Sequence, residues 1–142
     1  MAAVDVVDSY LEGLPGETRR VAHGEWGVTL EPEQAAGWSL HVGLRLADGV
    51  LRAQAHALED AEDLDPWMLL WWNRQTRYVR FACTRERDIW VQGDLAAGDV
   101  DETGLDRLLG LVVEGAVAVR QFSQSRAEAA QQPASSWLPS AD

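Results

Sequence analysis

Two neighbouring stretches in the first half of the chain alternate strictly between apolar and polar residues. Residues 38–47 and residues 50–58 each place every second side chain on an apolar face. A period of two is typical of strands with one buried face, and Asp48-Gly49 between the stretches is a strong two-residue hairpin signal. The pattern predicts an antiparallel hairpin with one polar face.

Three further stretches have strand patterns. Residues 20–30 form a broken one, which predicts a single strand with a bulge near Gly24 or Gly27. Residues 78–84 and 88–95 alternate on either side of a charged turn. Together with the hairpin, they predict an antiparallel sheet of about five strands.

Helical periodicity occurs in three places. Residues 4–14 and the segment from Asp101 or Thr103 onward repeat apolar residues at three- and four-residue intervals. Residues 66–77 follow Asp65, an N-cap residue, and begin with a proline at the first helical position. The predicted order is α-β-β-β-α-β-β-α, an α+β fold whose helices lie on one face of the sheet.

The 142 residues are enough for one domain, which we place at residues 1–126. Residues 127–142 change to alanine, glutamine, serine and proline, which predicts a polar tail. Trp137 within that tail is either incidental or part of a peptide that docks in a groove. The first residues lack the basic and apolar regions of a signal peptide, so we expect a cytoplasmic protein.

The net charge of the chain limits the kinds of molecule that it is expected to bind. The chain has 23 acidic residues and 12 basic ones, all arginine, for a net charge of -11. Such a surface repels phosphate backbones and favours basic partners. A single cysteine, Cys83, excludes an internal disulfide and a zinc site built from several cysteines.

The second half of the chain resembles a known family. The stretches that carry the likeness are WWNRQTRYVRFACTRERDIWVQGDL (71–95) and VDETGLDRLLGLV (100–112). They are similar to the YbjN-type domain, which shares the type III secretion chaperone-like fold. The positions that match the pattern are Asn73, Phe81, Leu95, Leu105 and Leu108. The resemblance implies a small, dimeric, non-enzymatic protein, with relatives that hold an extended client segment without ATP.

Residues 67–72 are six consecutive large apolar residues on a predicted helix. A helix with no polar face must be covered on more than one side. It is either buried in its own core or it contributes one face to a homodimer interface, where Trp, Met and Leu are favoured. We predict the homodimer, with the contact residues Trp67, Met68, Leu70, Trp71 and Trp72.

The predicted hairpin register places Arg45 opposite Arg52, and His41 opposite His56, on the polar face. Opposed like charges are unfavourable. Nearby carboxylates, solvation or an acidic segment of a partner would compensate them. Two histidines fall short of a metal-ligand set, so we predict no metal. The residues predicted to contact a client are Trp38, His41, Arg45, Arg52, His56 and Trp90.

The chain contains neither a nucleophile-elbow motif nor a glycine-rich phosphate loop. Cys83 lies on the predicted apolar face of its strand, where a thiol behaves as a small hydrophobe. We therefore predict a non-enzymatic, cofactor-free homodimer that binds a protein client, such as a single-stranded-nucleic-acid-binding or other basic protein. The alternatives are an acidic regulator that mimics nucleic-acid charge and, third, a small-molecule-binding protein or enzyme.

Overall fold

The structure, a computed structural model, describes residues 2–131. It contains three α-helices and one antiparallel sheet of six strands. The helices are α1 (Ala3–Glu12), α2 (Pro66–Gln75) and α3 (Glu102–Gln131). The strands are β1 (Glu17–Ala22), β2 (Glu25–Leu30), β3 (Leu40–Ala47), β4 (Val50–Leu58), β5 (Val79–Cys83) and β6 (Ile89–Ala96).

The predicted α+β class is confirmed, with helices packed on one face of the sheet. The strands lie in the order β1-β2-β3-β4-β6-β5, so β1 and β5 form the two edges. Among the described residues, no helix is both long enough and apolar enough to cross a membrane.

The sheet has one strand more than predicted. Residues 20–30 are not one bulged strand, because His23 and Gly24 form a tight turn and Ala22 pairs with Glu25 across it. Gly24 has φ +77°, a left-handed conformation that glycine adopts without a steric penalty. The sequence does not reveal β1 as a separate strand, because five of its six residues are exposed and buried and exposed positions therefore do not alternate.

The β3–β4 hairpin forms in the predicted register. Asp48 and Gly49 both have positive φ, as a two-residue hairpin turn requires, and Arg45 lies opposite Arg52. The paired residues extend from Ala47 to Val42, so His41 lies one position beyond them.

The core lies between the sheet and helices α1 and α3. Val7 and Leu11 of α1 are buried, and a stripe along α3 is fully or nearly fully covered. The buried apolar members of this stripe are Leu105, Leu108, Leu109, Val112, Ala116 and Val119. Helix α3 continues to Gln131, five residues into the segment predicted as a tail. Residues 132–142, including Trp137, lie outside the described range.

Polar contacts fix α1 to the rest of the fold. The Trp26 indole donates a hydrogen bond of 2.7 Å to Asp8, and the Tyr10 hydroxyl donates one to Asp106 of α3. Burial, together with the hydrogen bond to Asp106, raises the pKa of Tyr10 above its ordinary value. Tyr10 therefore stays a neutral donor and links α1 to α3.

Alanine substitutions at two glycines should have opposite effects on stability. A Cβ on Gly93 would lie 2.6 Å from Leu108 Cδ1 and 2.8 Å from Val79 Cγ1, so Gly93→Ala should destabilise the fold by about 1–3 kcal/mol. A Cβ on Gly110, inside α3, would meet no neighbouring atom within 4 Å in the part of the chain described here. Gly110→Ala should therefore stabilise the helix by about 0.5–1 kcal/mol.

Urea unfolding of the two variants measures both changes against the same wild type. A wild-type midpoint for Gly93→Ala would show that the space beside Gly93 accommodates a methyl group. A midpoint of Gly110→Ala at or below that of the wild type would show that alanine does not stabilise α3 at this position.

Candidate functional site

Helix α2 presents an apolar face to solvent. It begins where the Asp65 carboxylate accepts a hydrogen bond of 2.9 Å from the Trp67 backbone N–H, with Pro66 in the first turn, as predicted. Trp67 is 77% exposed, Leu70 59% and Trp71 58%. These three residues lie on one side of the helix, because Leu70 and Trp71 follow Trp67 by three and four positions. We call them the α2 apolar face.

The remaining apolar residues of α2 point inward. Leu69 is buried, and Met68 and Trp72 are half-buried against the core. The Trp72 ring packs against Phe81 and Phe122, with ring centroids 5.6 Å apart in both pairs. The interpretation of α2 as a helix buried within its own chain is therefore wrong. Of the five predicted dimer contacts, three form the exposed face and two support it from inside.

The face of the sheet opposite the helices is polar and open, and it brings together most of the predicted client-contact residues. Arg45 and Arg52 are paired across β3 and β4, and His56 is paired with Trp90 across β4 and β6. His41 lies on the same face at the start of β3, where it pairs with Thr29. We call this surface the open sheet face.

Carboxylates compensate the opposed arginines. Asp94 accepts two hydrogen bonds from Arg52, of 2.8 and 3.1 Å, and one of 3.3 Å from Arg80. Arg45 lies 3.6 Å from Glu25, and its side chain is 72% exposed. The sequence left three explanations for the opposed charges of Arg45 and Arg52: nearby carboxylates, solvation or an acidic partner segment. The structure shows nearby carboxylates, Asp94 beside Arg52 and Glu25 beside Arg45.

The pairing of Asp94 predicts a pH effect. The hydrogen bond from Arg52, with help from Arg80, holds the pKa of Asp94 below its usual range, against the opposing effect of burial. Because the folded pKa of Asp94 is lower than the unfolded one, this stabilisation is present at neutral pH. It is lost progressively as the pH falls below about 3.9 and through the lower pKa of the folded state.

Asp94→Asn should therefore lower the free energy of unfolding by about 0.5–1 kcal/mol at neutral pH, a modest value because the ion pair is partly exposed to solvent. The difference between variant and wild type should be smaller at an acidic pH below about 3.9, the ordinary pKa of aspartate, than at neutral pH. Urea unfolding at both pH values measures it. An equal difference at the two pH values would show that the charge of Asp94 is not the cause.

The two histidines of the open sheet face have separate partners. His41 Nδ1 lies 2.9 Å from the Thr29 hydroxyl. His56 Nε2 lies 3.1 Å from Asp88, and its ring stacks on Trp90 with centroids 4.9 Å apart. Within residues 2–131, no group of three or more potential ligands has metal-binding geometry.

Trp38 does not join the open sheet face. It lies in the loop before β3, and its ring covers the Arg120 guanidinium of α3 at 4.1 Å, in the helical layer. Arg120 is 1% exposed and donates hydrogen bonds to four backbone carbonyls. The acceptors belong to Ala35, Trp38, Ser39 and Ala57. Sequence reasoning missed Arg120, although its place four residues after Ala116 on an apolar stripe is a usable signal.

The two edges of the sheet differ. At the β5 edge, the Asn73 side chain donates to the Phe81 carbonyl at 3.1 Å and accepts from the Phe81 N–H at 2.6 Å. Thr76 donates a hydrogen bond to the carbonyl of Val79 at 2.6 Å. These side chains occupy backbone groups that an added strand would need. The β1 edge is largely exposed and carries Arg19 and Arg20.

A groove of about 620 Å³ lies between α2 and β5. Its apolar lining includes Leu64, Leu69, Phe81 and Ile89, all buried, and Cys83 lies in its wall. The prediction that Cys83 lies within a strand on its apolar face and behaves as a small hydrophobe is wrong, because Cys83 is the last residue of an edge strand and is exposed. We call this cavity the α2–β5 groove.

Three solved structures have a similar fold. The chain superposes on the Yersinia pestis type III secretion chaperone SycH, solved with a stable fragment of YscM2, with a TM-score of 0.61 and 18% identity, covering 82% of this chain and 98% of that one. For the ExsC–ExsE complex the TM-score is 0.63 and the identity 13%, and the superposition covers 85% of this chain and 96% of the other. For the HopA1–SchA chaperone–effector complex the TM-score is 0.60 and the identity 14%, and the superposition covers 84% of this chain and 91% of the other.

These likenesses confirm the predicted type III secretion chaperone-like fold. No protein-family model and no curated protein matches the sequence. Membership of the YbjN-type family therefore stays a prediction.

Proposed function

We propose that this protein is a non-enzymatic, chaperone-like module that binds an extended segment of a protein client as a homodimer, without ATP. The observation that carries the proposal is the α2 apolar face, on a fold shared with chaperones solved together with protein partners. Large exposed apolar residues grouped on one element mark interaction surfaces more often than scattered ones do.

The dimer contact is assigned to the α2 apolar face. Tryptophan contributes strongly to protein interfaces because its large aromatic ring buries a large apolar area. A two-fold axis beside α2 would bring Trp67 and Trp71 of both protomers together and remove them from water.

The client contact is assigned to the β1 edge and the adjoining open sheet face. An extended segment gains main-chain hydrogen bonds by adding to an exposed sheet edge. Asn73 and Thr76 occupy backbone groups of the β5 edge, so the β1 edge is the one available for such a segment. Because neighbouring strands lie about 4.8 Å apart, Arg45 on β3 is out of reach of the added strand itself. It can contact client residues that continue from that strand across the open sheet face. Trp38 is not part of this assignment, because its ring packs on Arg120.

Affinity capture from the native lysate, at low and at high salt, tests the proposal. Wild-type protein should retain one client in a fixed ratio at both salt concentrations. Arg45→Glu should reduce its recovery, since Arg45 is largely exposed and its loss leaves the core intact. Arg85→Glu, in the exposed turn between β5 and β6, is the control with the same charge change and should leave recovery unchanged.

Recovery of basic proteins alone, all released at high salt, would contradict the proposal. It would instead favour an acidic regulator that acts by mimicking nucleic-acid charge, because purely electrostatic binding is screened by salt.

A further inference from the structure

The α2–β5 groove and the α2 apolar face form one continuous apolar surface. Leu70 belongs to both, because it is exposed on the face and also lines the groove. From Leu70 the groove continues over a floor of buried apolar residues. They are Leu64, Leu69, Phe81 and Ile89. A molecule that covers the face therefore also reaches the groove.

The lining of the groove favours apolar contact over charge. Among the described residues, the only charged side chains in the lining are Glu62 and Arg87, which lie 3.7 Å apart and offset each other. Glu59, Asp60 and Asp63 line a separate cavity beside α3. A second copy of the chain, although its net charge is -11, would therefore meet no unpaired charge in the groove.

The area that a stable dimer needs identifies the occupant. Stable interfaces bury about 800 Å² on each partner, from about 20–30 residues, whereas the α2 apolar face consists of three side chains. The proposed homodimer therefore needs more apolar surface than this face provides. The groove is the cavity that continues the face, and a second copy seated on the face brings its own α2 to the groove.

The helical positions of the three exposed residues indicate which side chain enters. With about 3.6 residues per turn, Leu70 and Trp71 lie on opposite sides of Trp67, Leu70 towards the groove and Trp71 away from it. If two α2 helices pack antiparallel about a two-fold axis, the Leu70 sides of both copies meet. Trp67, in the middle of the face and the most exposed of the three, can then extend past Leu70 of the partner subunit.

We infer that Trp67 of each protomer inserts into the α2–β5 groove of its partner. The inference rests on the proposed homodimer and adds the side chain and the cavity that complete its interface. Two-fold symmetry makes the insertion mutual, so one kind of contact fills both grooves. The indole lies against Leu69 and Ile89 and covers Cys83, in a groove of about 620 Å³, a size typical of cavities that enclose aromatic ligands.

Cys83 reports whether the groove is covered, because it is the single cysteine of the chain and lies exposed in the groove wall. Alkylation by excess iodoacetamide and sedimentation are measured on the same samples of the full chain. Alkylation should be about 4-fold slower at ten times the dimer dissociation constant than at one tenth of it, because the monomer fraction falls by that factor.

A cysteine outside the groove is the control for this effect. Val50, at the start of β4, is 40% exposed, so Val50→Cys in a chain that also carries Cys83→Ser places the single thiol away from α2. Its alkylation rate should not change with protein concentration.

Two alanine variants identify the inserted side chain. At equal dimer fraction, Trp67→Ala should leave Cys83 as reactive as in the monomer, because alanine is too short to reach the groove. Trp71→Ala dimers should still protect Cys83. Both tryptophans are more than half exposed, so both variants should fold.

Modification of the groove should in turn weaken the dimer. A bulky maleimide on Cys83 should raise the dimer dissociation constant at least about 10-fold, because it occupies the space of the indole. Cys83→Ser, which leaves the groove empty, should dimerise as the wild type does.

Three outcomes would overturn the inference: a constant Cys83 rate while sedimentation shows the dimer forming, Trp67→Ala dimers that protect Cys83 as the wild type does, or a maleimide adduct that dimerises normally. Each leaves the homodimer in place and the groove open to a client segment. A wild-type chain that sediments as a monomer at every concentration contradicts the proposed homodimer itself, and the inference with it. Sedimentation of the wild type therefore distinguishes the two failures.

Discussion

Replacement of Arg120 with leucine is expected to lower the free energy of unfolding by about 3–5 kcal/mol, the largest effect we predict for a single substitution. The Arg120 guanidinium donates to carbonyls from two separate parts of the chain, the loop before β3 and the end of β4. Leucine would leave these carbonyls without their donor, and an unsatisfied buried polar group costs about 1–3 kcal/mol.

Between residues 2 and 131, no carboxylate forms an ion pair with the buried charge of Arg120. Burial lowers the pKa of its guanidinium, but arginine has so high an intrinsic pKa that it remains protonated. Carbonyl dipoles and the face of Trp38, 4.1 Å away, replace the lost hydration. The same contacts hold residues 35–39 against α3, assisted by a hydrogen bond of 2.7 Å from Gln124 to the Ala36 carbonyl.

Urea unfolding measures the effect, and amide hydrogen exchange locates it. Exchange in residues 35–39 should accelerate more than exchange in β6, which supplies none of the four carbonyls that Arg120 binds. Arg120→Lys keeps the charge but loses the planar, multi-donor geometry, so it should fall between wild type and leucine and remain folded if the leucine variant does not.

Arg126→Leu is the control. Arg126 lies on the same helix but is exposed and approaches Phe122 only at 6.0 Å, so its replacement should change stability by less than about 0.5 kcal/mol. Equal midpoints for the Arg120 and Arg126 variants would show that the buried network does not stabilise the fold.

The burial of Arg120 is a feature that the sequence alone does not predict. A hydrophobic stripe on α3 is readable from spacing, because buried residues recur at three- and four-residue intervals. An arginine on that stripe is ordinarily assigned to the surface, since isolated charges are costly to bury. Its four acceptors lie 63 to 85 residues away in the chain. No local pattern could therefore predict that they converge.

The strands illustrate a second contrast. The β3–β4 hairpin was predictable because alternation and Asp48-Gly49 agree, and its register followed from the two-residue turn. The β1–β2 hairpin was missed because β1 is an exposed edge strand, in which Val21 is 60% exposed and apolar residues carry no information about a face.

The groove and the α2 face were only partly predictable. Six consecutive apolar residues identify α2 as unusual, but they have no periodicity from which to choose the outward side. That choice depends on Phe81 and Phe122, which hold Trp72 inward. Cys83 was misplaced for a related reason: alternation assigns a residue to a face, but it does not tell where the helical cover of that face ends.

If the proposed homodimer forms through the α2 apolar face, the double substitution Trp67→Glu with Trp71→Glu should convert it to a monomer. Removal of a central tryptophan from an interface typically costs 2 kcal/mol or more, and each glutamate would add a charge that faces its own copy across the two-fold axis. We expect the dimer dissociation constant to rise at least about 100-fold. Sedimentation at several protein concentrations measures it.

The exposure of both side chains makes this variant specific. Trp67 and Trp71 contribute little to the core, so the far-ultraviolet circular dichroism of the variant should match that of the wild type. Val21→Glu with Val50→Glu is the matched control, because both valines are exposed apolar residues outside α2 and the charge change is identical. This control should remain dimeric.

A wild-type chain that sediments as a monomer, or a Trp67/Trp71 variant that stays dimeric, would contradict the assignment of the α2 apolar face. The two results would differ in meaning. A dimeric variant would place the two-fold axis elsewhere and leave α2 free for a client. A monomeric wild type would leave three large apolar side chains in water, a cost that binding of a client, rather than of a second copy, would have to relieve.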